Sequence, residues 1–165
     1  MHSRDKLAGI VYLGLLMLSV LWLALIVLPS LLMAGGKVAA SLILYQGFSA
    51  VCHQIPDRTY HLLGFPLGVC SRCTAIYAGF LAGLVAYPFI SPLDKEEFPD
   101  RRLLILAGIP MALDFAGGLT GLFANTFLSR GITGFVFGGV SAFYLMPGVF
   151  SALSDLMIRH HKLRI

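Results

Sequence analysis

Charge is what this chain has least of. Only 12% of its 165 residues are Asp, Glu, Lys or Arg, about half the share of an ordinary soluble domain. The few charges are bunched, so long uncharged stretches lie between them. Serine triads, P-loops and dinucleotide fingerprints are missing, and those enzyme classes go with them. No strand-period or low-complexity segment stands out. The excess of 12 basic over 8 acidic residues is small. It sits mostly at the ends of apolar segments, so it reads as topogenic rather than as a nucleic-acid footprint.

What is abundant is hydrophobicity, at 58% of the residues. Ala8 to Ala34 carries no charge and follows Arg4, Asp5 and Lys6. A bilayer core of roughly 30 Å takes about 20 helical residues, so this run spans it with tilt to spare. The alternative is a cleaved signal peptide ending at Val38-Ala39-Ala40, but the run is far longer than a signal core of about 7–15 residues. Further spans are expected at 74–90, 103–123 and 131–153, the last with a kink at Pro147. Val38 to Val51 is apolar but only about three to four turns long, which suits an interfacial or re-entrant helix. The expected fold is therefore an all-α integral membrane protein. It is a single polytopic domain over 1–165, a four-transmembrane-helix bundle plus that short helix.

Orientation follows from Lys and Arg. Four spans put Arg4, Lys6, Lys95, Arg101, Arg102, Arg159, Lys162 and Arg164 on one side. Lys37, Arg58, Arg72 and Arg130 fall on the other. Both termini are thus expected in the cytoplasm of a cell-membrane protein, with the loop from Cys52 to Cys73 outside. Were Val38–Val51 to cross, that loop would be cytoplasmic. Gly79 and Gly83, Gly117 and Gly121, and Gly134 and Gly138 form small-xxx-small pairs. Such pairs serve close helix packing within the chain or a homo-oligomer. The bilayer is the expected partner, and nucleic acid is not.

Three polar features stand out. All three cysteines lie between positions 52 and 73. They fall in Cys52-His53-Gln54-Ile55-Pro56-Asp57-Arg58 and in Cys70-Ser71-Arg72-Cys73, just before the second span. Soft thiolates with an imidazole are what a tetrahedral zinc site uses. Cys52, Cys70 and Cys73 are candidate metal ligands, with His53 or a water as the fourth. Adjacent residues seldom point at one ion, so His61 or an open position is the substitute for His53. The competing reading is redox: a C-x-x-C disulfide outside the cell, with Cys52 as a free or resolving thiol. Inert buried thiols are the third. Arg58 and Arg72 can grip phosphate bidentately, or can snorkel or offset the thiolates.

The third feature is Asp114, expected near the bilayer midplane. An ionised carboxylate there costs on the order of 2.5–3.5 kcal/mol on insertion scales. It should face the bundle interior and pair with something. Arg130, which opens the last span, is the expected partner. Thr120, Asn125, Thr133 and Tyr77 are candidates to complete a polar pocket. His160 and His161 sit in a basic tail and carry no assigned role.

The patterns C-H-Q-x-P-x-R, C-x-R-C-T-x-I-Y-x-G, P-x-x-x-D and R-x-x-T-G together resemble the predicted membrane protein family called domain of unknown function 2085. The matches are Cys52, His53, Gln54, Pro56 and Arg58; Cys70, Arg72, Cys73, Thr74, Ile76, Tyr77 and Gly79; Pro110 and Asp114; and Arg130, Thr133 and Gly134. Ala75 and Phe115 depart from the family's small residues. The resemblance implies a membrane protein and no particular activity.

The function these residues point to is a zinc-binding membrane protein with its site at the outer interface. As a metal-dependent enzyme it would act on a lipid or small polar substrate, with Asp114 or His53 as base. Arg58, Arg72 or Arg130 would hold an anionic group. Thiol–disulfide exchange through Cys70 and Cys73 is the second reading. A proton or metal-ion carrier built on Asp114 is the third.

Overall fold

A computed structural model describes residues 2–122 and 124–162, with side chains described from 4 to 157 except at 123. The chain forms α1 (His2–Ala34), α2 (Val38–Phe48), a 3₁₀ turn (Pro56–Arg58), β1 (His61–Leu62), β2 (Phe65–Pro66), α3 (Ser71–Ile90), α4 (Arg101–Thr120) and α5 (Phe127–Lys162). Four of the helices are long and apolar enough to cross a membrane: Arg4–Ala34, Ser71–Ile90, Arg101–Thr120 and Phe127–Met157. The mostly helical membrane architecture expected from the sequence is therefore present.

The helix ends differ from the edges of the apolar runs: α3 and α5 start before them, and α4 starts two residues earlier and stops at Thr120. At the start of α4 the Asp100 side chain accepts from the Arg102 amide at 3.0 Å. Its other end comes at Thr120, where Gly121 turns the chain with a φ of 73°. The expected end at Phe123 lies outside the described residues, as do the side chains of His160 and His161. Pro147 lies well inside α5, which continues to Lys162. The absence of strand signals needs one correction. His61–Leu62 pairs antiparallel with Phe65–Pro66. The two-residue turn has positive φ at both Leu63 (53°) and Gly64 (84°), as a tight primed hairpin turn requires. A hairpin this short has no alternation to read.

The α2 helix has 11 residues, so it is roughly 16 Å long, about half a bilayer core. It turns back onto α1, where the Ser41 hydroxyl donates to the Pro29 carbonyl at 2.8 Å. The long helices then alternate in direction. Arg4 of α1, Glu96 of the α3–α4 connection and Phe150 of α5 meet at one end. The Tyr144 hydroxyl ties α5 to the Asp100 carbonyl there at 2.7 Å. At the other end lie α2, the hairpin, the first turn of α3, the last turns of α4 and the start of α5.

The closest packing is between α3 and α5. A Cβ added at Gly79 would run into the Phe135 backbone, and one at Gly138 into the Ile76 backbone. Gly83 and Gly134 face Gly139 and Arg72 in the same way. These two small-residue pairs are thus turned toward each other inside one chain. Large apolar side chains such as Ile10, Ile43, Leu119 and Leu122 point outward, as a lipid-facing surface would have them.

Candidate metal centre

The loop from Cys52 to Cys70 is folded back and pinned to α1. The Gly68 amide donates to the Ile26 carbonyl at 2.8 Å. A Cβ at Gly68 would meet the Phe48 ring and that same carbonyl, so this crossing needs glycine. The Ser30 hydroxyl donates to the Pro66 carbonyl at 2.6 Å, and Tyr45 of α2 donates to it too. Gln54 is the central staple. Its side-chain amide donates to Tyr45 O at 2.9 Å and Gly68 O at 2.7 Å, closing both arms of the loop around one residue. This role was not foreseen, although the glutamine stands inside the motif.

The fold-back brings the three thiols together. The sulfurs of Cys52, Cys70 and Cys73 all lie within 4.8 Å of one another. Cys70 is the N-cap of α3 and Cys73 is in its first turn, so the C-x-x-C spacing sets both sulfurs on the side that Cys52 approaches. Cys52 is buried, and its sulfur accepts two backbone N–H groups, from Cys70 at 3.2 Å and Gln54 at 3.5 Å. Contacts from the Cys70 and Cys73 thiols, and then these amides, hold the Cys52 thiol far below the ordinary range against the opposing effect of burial. Beneath the cluster, Ile26, Phe48 and Val69 form an apolar floor, with Trp22 and Tyr77 packed against it. The Trp22 ring meets Phe48 and Tyr77 edge-on, at 5.5 and 5.7 Å. Trp22 was not expected at the thiols, because α1 carries no motif.

His53 and His61 do not join the close group, which among the described residues consists of the three thiols. His53 is exposed. The His61 ring nitrogen Nδ1 instead lies 3.0 Å from the Thr59 carbonyl.

Asp114 is buried, as its cost demands, but its partner is Arg72 rather than Arg130. The reason is topological. Arg72 is in the first turn of α3 and Asp114 in the last two turns of the antiparallel α4. Arg130 is linked to Asp114 at one remove. Its guanidinium donates to Asn125 Oδ1 at 2.8 Å, and Asn125 Nδ2 donates to the Asp114 carbonyl at 2.8 Å. Asn125 therefore belongs to the expected polar pocket. Thr120 and Thr133 bond back to their own helices, and Tyr77 sits with the thiols.

The family model described as "Predicted membrane protein (DUF2085)" matches residues 52–144, a stretch that includes all three cysteines, Asp114 and Arg130. The chain is similar to an uncharacterised protein of Methanocaldococcus jannaschii, 42% identical over 113 residues, covering 68% of this chain and 72% of that protein. An uncharacterised protein of Methanothermobacter thermautotrophicus is 37% identical over 67 residues, covering 41% of this chain and 59% of its own length. No solved structure matches the chain.

Proposed function

The chain belongs to the DUF2085 family of membrane proteins, and on that premise we propose that it binds a soft transition-metal ion, zinc in the first instance, through Cys52, Cys70 and Cys73. One observation carries the reading. Three sulfurs converge within 4.8 Å from two distant segments, and the buried one already accepts two amide donors. Thiolates are the form that binds metal, and N–H donors to sulfur are the outer-shell support that such ligands use. A Cys70–Cys73 disulfide would use two of these sulfurs and leave Cys52 as the resolving thiol, whereas a metal uses all three at once. The carrier reading is weakened by Arg72, which already holds the Asp114 carboxylate.

Three protein ligands leave a fourth position for water, substrate or a histidine from the exposed side of the loop, which is the pattern of catalytic rather than structural zinc. A bound zinc ion would supply Lewis acidity at one end of the bundle. The charge asymmetry supports an outward-facing end, where a substrate would be a lipid or small polar molecule met at the outer interface.

The test is metal analysis with a thiol count on protein purified in detergent. We expect about one zinc per chain, lost when any one of the three cysteines is changed to serine, as a three-thiolate site requires. Metal-free protein with a Cys70–Cys73 disulfide, found by mass spectrometry after purification without reductant in the presence of zinc, would overturn the reading in favour of thiol exchange.

A further inference from the structure

Beside the thiols the bundle buries a guanidinium that no carboxylate among the described residues holds. Arg130 is 8% exposed, and among the described residues no carboxylate pairs with it. Its one side-chain bond goes to the neutral Asn125 amide. A guanidinium carries five N–H donors, so among the described residues most of those on Arg130 have no side-chain partner. Arg72 uses its terminal nitrogen on Asp114, while its Nε is buried without a partner. An unpaired buried charge and unused buried donors are both costly. A chain that keeps them beside a membrane surface calls for a ligand that repays them.

A third guanidinium is brought to the same place by the 3₁₀ turn. Tyr60 stacks on Phe127 at 5.5 Å between centroids, and its hydroxyl reaches the Phe127 carbonyl at 3.4 Å. This clamps the segment carrying Arg58 over the first turn of α5, three residues from Arg130. Arg58 is exposed there, and Arg72 is joined to Arg130 through Asp114 and Asn125. Asp57 is exposed beside Arg58, and among the described residues it forms no ion pair with any of the three arginines. Asp114 pairs with Arg72, and among the described residues no carboxylate pairs with Arg58 or Arg130.

We propose that Arg58, Arg72 and Arg130 form an oxyanion site that takes a phosphate group. A tetrahedral phosphate offers three acceptor oxygens and up to two negative charges, which suits converging forks better than a two-oxygen carboxylate does. The group comes either as a free phosphate or soluble phosphate ester, or as the headgroup of an anionic lipid entering from the bilayer surface. The proposal rests on the arginines and not on the metal.

The experiment uses the full chain, washed with chelator so that metal plays no part. One arm titrates inorganic phosphate into detergent-solubilised protein at constant ionic strength, read by calorimetry. The other measures protection against thermal unfolding in nanodiscs of phosphatidylcholine with and without phosphatidic acid. Saturable binding in either arm, weakened roughly tenfold or more in Arg58→Gln, is expected, since one charge-assisted hydrogen bond contributes about 1.5–3 kcal/mol. A response to inorganic phosphate identifies a soluble ligand, and a response to phosphatidic acid alone identifies a headgroup. Arg130→Gln should abolish either response. Should that buried variant not fold, the exposed Arg58→Gln decides alone. No saturable response in either arm, or a response that Arg58→Gln leaves unchanged, overturns the proposal. Zinc failing to bind while phosphate binds would remove the metal reading and leave this one standing.

Discussion

A carboxylate buried between membrane helices is only as stable as the charge beside it. Asp114 and Arg72 are both largely buried, at 7% and 16% side-chain exposure. Asp114→Asn keeps the shape and removes the charge, leaving the Arg72 guanidinium without its counter-ion. Breaking a buried pair from one side costs about 3–5 kcal/mol. We therefore expect Asp114→Asn to lower the unfolding stability of the purified protein by that amount, and Arg72→Gln with Asp114→Asn to restore most of it. An unfolding curve for Asp114→Asn that overlays the wild type would show that the pair does not hold the helices. The need for a partner was legible in the sequence, because a lone acid in an apolar span demands one. Which arginine supplies it was not. Arg130 is nearer along the chain, and only the antiparallel placement of α3 and α4 brings Arg72 closer in space. The three thiols were legible for the opposite reason: Cys70 and Cys73 are set by helix spacing, and the turn-rich loop allows Cys52 little else. The Trp22 and Gln54 contributions were hidden, since one rests on packing across helices and the other on a backbone path.

At the scale of elements, the α3–α5 contact is built on glycine. The spacing of Gly79, Gly83, Gly134 and Gly138 announced close packing in the sequence. Two faces that fit each other read the same whether they belong to one chain or two, so the use inside the chain appears only in the structure. A methyl at Gly79 or Gly138 meets backbone, which cannot swing aside as a side chain can. Gly79→Ala and Gly138→Ala should each destabilise the bundle by about 1–3 kcal/mol or more, the range for overpacking. Gly14→Ala, with nothing within 4 Å, is the control and should be neutral. Unfolding in detergent measures all three. Equal behaviour of Gly79→Ala and Gly14→Ala would mean that α3 and α5 do not pack backbone to backbone. The spans themselves were legible from their apolar runs, but their ends were not. Hydropathy marks what lipid covers, whereas a helix stops at its caps, and Asp100 and Gly121 lie outside or at the margin of the apolar stretch.

For the whole molecule, the arrangement of the two ends sharpens the argument on orientation. With α2 too short to cross, the thiols, α2 and the hairpin share one end with Lys37, Arg58, Arg72 and Arg130. Of these four, Arg72 is held by Asp114 and Arg130 is buried on Asn125, and Arg58 stands over the start of α5. Lys37 is the one left with no place in that cluster. The other end carries Arg4, Lys6, Lys95, Arg101 and Arg102 from the described side chains, with Arg159, Lys162 and Arg164 beyond them in sequence. Arg4 is tied to Glu96 and Arg102 leans toward Asp100, yet that end still holds the larger number of Lys and Arg residues. The positive-inside rule counts Lys and Arg near span ends, so the end with the termini should be cytoplasmic. A fluorescent protein fused after Ile165 should be bright in intact cells. A periplasm- or exterior-active enzyme inserted between Leu63 and Gly64, at the exposed hairpin turn, should be active. The reverse pair of results would place the thiols in a reducing compartment. That outcome would end the case for an outward-facing site and remove thiol exchange as a competitor, while leaving the three-sulfur geometry, and the metal reading that rests on it, intact.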